Sequence, residues 1–306
     1  MNAPPRPTHR SDRARRRMLR PGERPTFLAD WTEVLFVHLA VDPDALRPHV
    51  PFALDTFRGR AYVSLVAFTQ RDLRPRRGGR VAAMACGPIA GHEFLNVRTY
   101  VRHGRGRGIY FLAEWIPNRL ACLLGPPLYG LPYRAARNHY ACRASADRPG
   151  RFVGAVAAPG GRLAWKARVR PLRGARPARA GLEQFLLERY TAYTRRGNTP
   201  LRFRVWHAPW LRVRAHVALT ETSLLRAAFP WLPAASEVTA HFSPGVHAVW
   251  IGPPRRAKTL TAAPPGPASG KVGLLARTAA VCRRALVKNF TRKPSDAPIG
   301  TKKGVV

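Results

Sequence analysis

The stretch FLNVRTYVRHGRGRGIYFLAEW, residues 94–115, decides the fold. Two runs rich in β-branched and aromatic residues flank GRGRG at 104–108. Such side chains suit a pleated surface and glycine supplies turn dihedrals, so the segment reads as an antiparallel hairpin. In its first arm Leu95, Val97, Thr99 and Val101 alternate with Asn96, Arg98, Tyr100 and Arg102. Successive side chains on a strand point to opposite faces, which makes one face apolar and the other a polar, arginine-bearing row turned to water or to a cavity.

Outward from the hairpin the same pattern recurs. AYVSLVAF at 61–68 is a run of strand formers, and further strand candidates lie at 151–158, 162–170, 201–208, 211–220, 237–243 and 246–252. Helices are fewer. One starts at Pro117 in PNRLACLLG, and AGLEQFLLERYTAYTRR at 180–196 carries Leu182, Phe185, Leu186 and Tyr190 as an amphipathic stripe. Many short strands with few helices over residues 26–254 predict one mainly β (α+β) domain, a closed or nearly closed barrel.

Charge marks off the two ends. Across 306 residues, 53 Lys+Arg oppose 16 Asp+Glu, a net charge of +37. Seven lysines, at 166, 258, 271, 288, 293, 302 and 303, leave 46 arginines, and with 30 prolines this is the composition a GC-rich genome writes. Part of the charge is therefore drift on solvated faces, and part is open to an anionic partner. Residues 1–25, Pro/Arg-rich without apolar periodicity, are expected to form a basic disordered tail. Residues 255–306 read as a basic, Pro-rich linker followed by a short amphipathic helix with Leu274, Leu275, Cys282, Ala285 and Leu286 on its apolar side. Docking of these tails to nucleic acid or an anionic membrane stands beside plain packing or loose order.

ARRRMLR at 14–20 imitates a twin-arginine signal, but no apolar region follows it. The uncharged stretch 120–133 is too short for a bilayer and holds three prolines. A cytoplasmic protein is expected. Cysteines at 86, 122, 142 and 282 form no C-x-x-C pair, and the ten histidines are scattered, of which three would have to converge to hold a metal; no metal and no cofactor are expected. Phosphate-loop, nucleophile-elbow, zincin and dinucleotide signatures are absent, and GRGRG joins two strands without opening a helix.

Six ordered motifs carry a resemblance: GRAYVSLVAF (59–68), LNVRTYVRHGRGRGIYFLAEW (95–115), YGLPYRAAR (129–137), FLLERYTAYTRRG (185–197), HAPW (207–210) and HFSPGVHAVW (241–250). From about residue 31 to about residue 250 the chain resembles the YqjF-like family, domain of unknown function 2071 (DUF2071), in the acetoacetate decarboxylase-like superfamily. The resemblance implies a curved antiparallel barrel with a central cavity and a few flanking helices, and no assigned activity. Acetoacetate decarboxylases carry G-x-P-K-K where this chain reads Gly130-Leu131-Pro132-Tyr133-Arg134, and their lysine forms a Schiff base with a β-keto acid. Neither tyrosine nor arginine forms an imine, and Lys166, the one lysine between 26 and 254, shares a strand face with Arg168 and Arg170 and is expected to face solvent.

The expectation is therefore a small-molecule-binding barrel for an acidic or carbonyl-containing metabolite, either catalytically silent or working by acid/base chemistry without an imine. Arg98 and Arg134 are the candidates to clamp a carboxylate, Tyr133, Tyr100 and Asn96 to orient an oxygen, and Glu93 and Tyr133 to act catalytically. A structural ion pair for Arg98 and Glu93, and a core role for Tyr133, stand open beside these. The rival is a basic docking protein for nucleic acid or anionic membrane, acting through its tails. The sequence leaves the oligomeric state open.

Overall fold

Strands dominate residues 10–232 and 237–257, which the computed structural model describes and which belong to one unit, Met1–Gly266. In chain order they are β1 (Phe27–Val41), β2 (Ala53–Leu54), β3 (Ala61–Pro75), β4 (His92–His103), β5 (Gly106–Ile116), β6 (Tyr133–Ala135) and β7 (Arg137–Arg143). Then come β8 (Gly150–Ala158), β9 (Gly161–Val169), β10 (Thr191–Arg196), β11 (Thr199–Trp206), β12 (Val213–Glu221), β13 (Glu237–Ile251) and β14 (Arg255–Arg256). The α-helices are α1 (Arg10–Met18), α2 (Pro43–Leu46), α3 (Gly79–Cys86), α4 (Arg119–Tyr129), α5 (Gly181–Leu187) and α6 (Ser223–Ala228).

The predicted hairpin is present as β4 and β5, paired from Leu95–Trp115 to His103–Gly106. One sheet runs β14-β11-β10-β5-β4-β3-β1-β13-β12-β9-β8-β7, with β2 added to β4 and β6 to β5. β11 also pairs with β13 through Val205–Ile251 and Trp206–Trp250, so the path curls back on itself. The sheet is mixed where a uniformly antiparallel one was expected: β5 takes both β6 and β10 in parallel. β5 leads to β6 through α4, and β10 follows α5 instead of a tight turn, which permits the parallel direction. Gly108 makes the β10 contact possible, since a Cβ there would meet the Thr191 carbonyl at 2.4 Å.

Two apolar clusters use the two faces of the central strands. Val34, Phe36, Tyr62, Val66, Phe94, Tyr100 and Ile109 face inward with Phe185 and Leu186 of α5 and Phe203 of β11. Leu35, Val37, Val63, Leu65, Leu95, Val97 and Trp115 face the layer of β8, β9 and β12, packing on Phe152, Trp165 and Val213. A fully buried Phe36 or Phe242 contributes about 1.5–3 kcal/mol by burial alone.

Several expectations change. Residues 10–18, assigned to a disordered tail, form α1, because Ser11, Ala14 and Met18 recur on one side and bury there. Arg15 lies over the Trp206 and Trp250 rings at 5.3 and 5.5 Å, and Ser11 bonds to Trp206 and His207. The helix expected over 180–196 ends at Leu187, and Thr191–Arg196 is strand, since Thr191 and Tyr193 suit a strand and the ladder to β11 satisfies the backbone. The two strands expected at 237–243 and 246–252 are one, β13, bent at Gly245, whose φ of 128° and approach to the Trp31 carbonyl only glycine tolerates. The linker and amphipathic helix expected beyond residue 257 lie outside the described residues.

Candidate functional site

The polar row read from β4 is turned inward, not to water. Asn96, Arg98 and Tyr100 are all buried, Arg98 with 9% exposure. Across the sheet Arg98 stands opposite Ser64 of β3, and Ser64 opposite His38 of β1. One rung away Asn96 stands opposite Glu114 of β5, and Glu114 opposite Tyr133 of β6. Glu114 reaches this face because of a β-bulge: Val97 pairs with Ala113 and Arg98 with Phe111, leaving Leu112 over. The extra residue shifts the alternation by one, so Phe111 and Glu114 share the inner side.

A directed hydrogen-bond relay crosses this layer. Tyr100 donates its hydroxyl hydrogen to the Leu186 carbonyl at 2.9 Å. That proton is then committed, so Ser64, 2.6 Å away, donates to the Tyr100 oxygen, and His38 Nδ1 donates to Ser64 Oγ at 2.7 Å. Burial, the His241 ring and Arg98 hold the His38 pKa well below its ordinary value. The ring is therefore neutral, with hydrogen on Nδ1, and Nε2 is a buried acceptor without a hydrogen-bond partner.

Beside the relay sits a buried acid. Glu114 is 3% exposed, and desolvation pushes its pKa up to about 8 against the pull of Arg98 and the Asn96 amide. It is thus a largely neutral carboxylic acid near pH 7. Burial lowers the Arg98 pKa, opposed by Tyr100 and Glu114, and the guanidinium rests 5.7 Å from the Phe36 ring centre. Glu114 Oε2, Asn96 Oδ1 and Arg98 Nε have no hydrogen-bond partner among the described residues. Such desolvated, unmatched atoms cost about 1–3 kcal/mol each, more where charged.

Tyr133 joins this layer, its ring 5.9 Å from Phe94 in an edge contact, and burial with Glu114 nearby holds its pKa well above the ordinary phenol value. Gly125 makes the room, since a Cβ there would lie 2.3 Å from the Tyr133 ring. Arg134 does not converge with Arg98. Neighbours on a strand point apart, so Arg134 is exposed and lies over Trp115 of the opposite cluster, at 5.4 Å. Glu93 is also placed away from the layer, one residue out of phase with Phe94, half-buried and lining a surface depression with Glu33, His92 and Tyr140. Lys166, the one lysine among the described residues, is exposed on β9.

Sequence reading passed over His38, Ser64 and Glu114. For Glu114 a signal existed: counting back through the 104–108 turn sets it near Asn96, as a lone acid in an apolar strand arm.

A family model described as an uncharacterized conserved protein, DUF2071, matches residues 28–247. The uncharacterized protein YqjF of Bacillus subtilis is 32% identical over 202 residues, covering 64% of this chain and 79% of that protein. Among solved structures, an acetoacetate decarboxylase-like enzyme from Sphingomonas wittichii RW1 superposes with a TM-score of 0.55 at 16% identity, covering 77% of this chain and 94% of the other. The enduracididine biosynthesis enzyme MppR, complexed with pyruvate, gives a TM-score of 0.55 at 15% identity, covering 76% and 91%. At these identities the likeness is one of fold.

Proposed function

The chain belongs to the DUF2071 family and is built on the acetoacetate decarboxylase-like fold, and from that premise we propose that it binds a small oxo acid or related acidic carbonyl compound on the inner polar layer of the sheet. The observation that carries the reading is the buried trio of Arg98, Glu114 and Asn96, each with an unmatched polar atom. A carboxylate supplies the acceptor that Arg98 Nε lacks, in the fork geometry guanidinium favours. Glu114, neutral near pH 7, donates a hydrogen bond or a proton to a carbonyl oxygen. His38 Nε2 accepts on the far side of the same layer. In the resemblance at 130–134 Tyr133 takes the place of the decarboxylases' Schiff-base lysine and offers a neutral phenol, which supports acid/base chemistry without an imine.

The test is a thermal-shift panel with pyruvate, acetoacetate and lactate, repeated on Arg98→Gln, with borohydride trapping in parallel. Pyruvate or acetoacetate raises Tm for the natural chain but not for Arg98→Gln, and borohydride adds no mass. Absence of any shift, or an undiminished shift in Arg98→Gln, refutes the binding reading. A trapped adduct refutes the imine-free chemistry.

A further inference from the structure

A groove of about 1020 Å³ opens on the outside of the sheet between α1, the tip of the β4–β5 hairpin and β10–β11. Ten arginines and two glutamates line it. We propose that this groove, which adjoins the inner polar layer where Arg189 lies 5.0 Å from the Tyr100 ring centre, is a binding site for a small polyphosphate-bearing ligand, a proposal that does not rest on the oxo-acid reading.

The cations are set on three fixed walls. Arg10, Arg13 and Arg17 recur three and four residues apart on α1, so they share one helix face. That helix is held by the buried Ser11, Ala14 and Met18 and by Arg15 between two indoles. The hairpin tip supplies Arg105 and Arg107, and β11 supplies Arg202 and Arg204.

Counter-charge is short within the groove. Glu23 alone serves both Arg202, at 3.1 Å, and Arg204, at 3.2 Å. Asp55, which pairs with the lining residues Arg107 and Arg189, is already shared with Arg102. Arg13, Arg17 and Arg105 have no carboxylate partner among the described residues. Two further guanidinium nitrogens, Arg189 Nη2 and Arg202 Nη1, are buried without a hydrogen-bond partner. Like charges concentrated in one concavity repel unless an anion sits among them, and the lowered Arg10 pKa, set by burial and then by Arg107 and Arg13, is in keeping with that repulsion. Guanidinium forks match phosphate oxygens in pairs. The volume is that of a large small-ligand site, for which the usual range is roughly 300–1,000 Å³, and leaves room for several phosphate groups.

Calorimetric titration of the full chain with inorganic triphosphate, orthophosphate and sulfate at physiological salt tests this. Triphosphate binds at least about tenfold more tightly than orthophosphate, with affinity falling steeply as salt rises. Arg13→Glu/Arg17→Glu lowers that affinity at least about tenfold, and Arg105→Glu, on the opposite wall and away from the packing of α1, lowers it too while Tm stays unchanged. Equal weak binding of all three anions, or triphosphate affinity untouched by Arg105→Glu, overturns the proposal. So does a single-stranded oligonucleotide that binds where triphosphate does not, which assigns the groove to nucleic acid.

Discussion

Glu114→Gln removes the ionisable proton from the inner layer while keeping shape and hydrogen-bonding capacity, which makes it the sharpest probe of that layer. The carboxyl titrates at about 4.5 when unfolded and at about 8 in the fold. Between those values the folded state holds a proton that the unfolded state has released, so stability falls as pH rises through this window. The displacement is worth at most about 5 kcal/mol across the whole window. The natural chain and Glu114→Gln therefore have similar stability at pH 5, and the variant becomes the more stable by several kcal/mol at pH 8. Urea denaturation at half-unit steps from pH 5 to 9 measures the difference between the two, in which every other titrating group cancels. A difference that does not change with pH would refute the buried, neutral acid and with it the role of Glu114 as donor to a carbonyl oxygen.

Three other perturbations follow from the same structure. Asp55→Asn leaves the buried Arg189 guanidinium uncompensated and costs about 3–5 kcal/mol in denaturant midpoint analysis, against about 1 kcal/mol or less for the exposed Asp147 of the Arg173 pair. Gly125→Ala drives a methyl group into the Tyr133 ring and costs about 1–3 kcal/mol, read by urea unfolding, with a stability equal to the natural chain as the contrary result. His92 is buried and its pKa is lowered from 6.5 to about 4, so the unfolded chain takes up a proton that the folded chain refuses, and stability falls as pH drops through that range. His92→Gln removes about 3 kcal/mol of this acid sensitivity, and an unchanged acid limb contradicts it.

The hairpin at 94–115 was legible because its information is local: alternation sets two faces and glycines set the turn. Which face is buried was not, since that depends on β3 and β1 lying beside β4 and on the sheet curling over α5. β1 itself hides behind Asp30 and Glu33 and an irregular register between Thr32 and Leu35, which break the period of two. The helix misread past Leu187 shows periodicity yielding to pairing: Tyr190 keeps helical spacing, but Thr191–Arg196 has two strand neighbours waiting. At the site, Arg98, Asn96, Tyr100 and Tyr133 meet as a set, whereas Arg134 falls away for a reason already present in its adjacency to Tyr133. Glu114 needed the bulge, and a single unpaired Leu112 is invisible to strict alternation.

The fastening of α1 on Trp206 and Trp250 has a consequence for the order of events at the ribosome. The curl of the sheet meets at only two residue pairs between β11 and β13, and both indoles beneath Arg15 belong to that seam. The Ser11 partners lie nearly 200 positions downstream. α1 therefore has no finished surface to settle on until Trp206, His207 and Trp250 have been translated. Its docking is a late step, one that latches this arginine-rich helix across the place where the sheet meets itself.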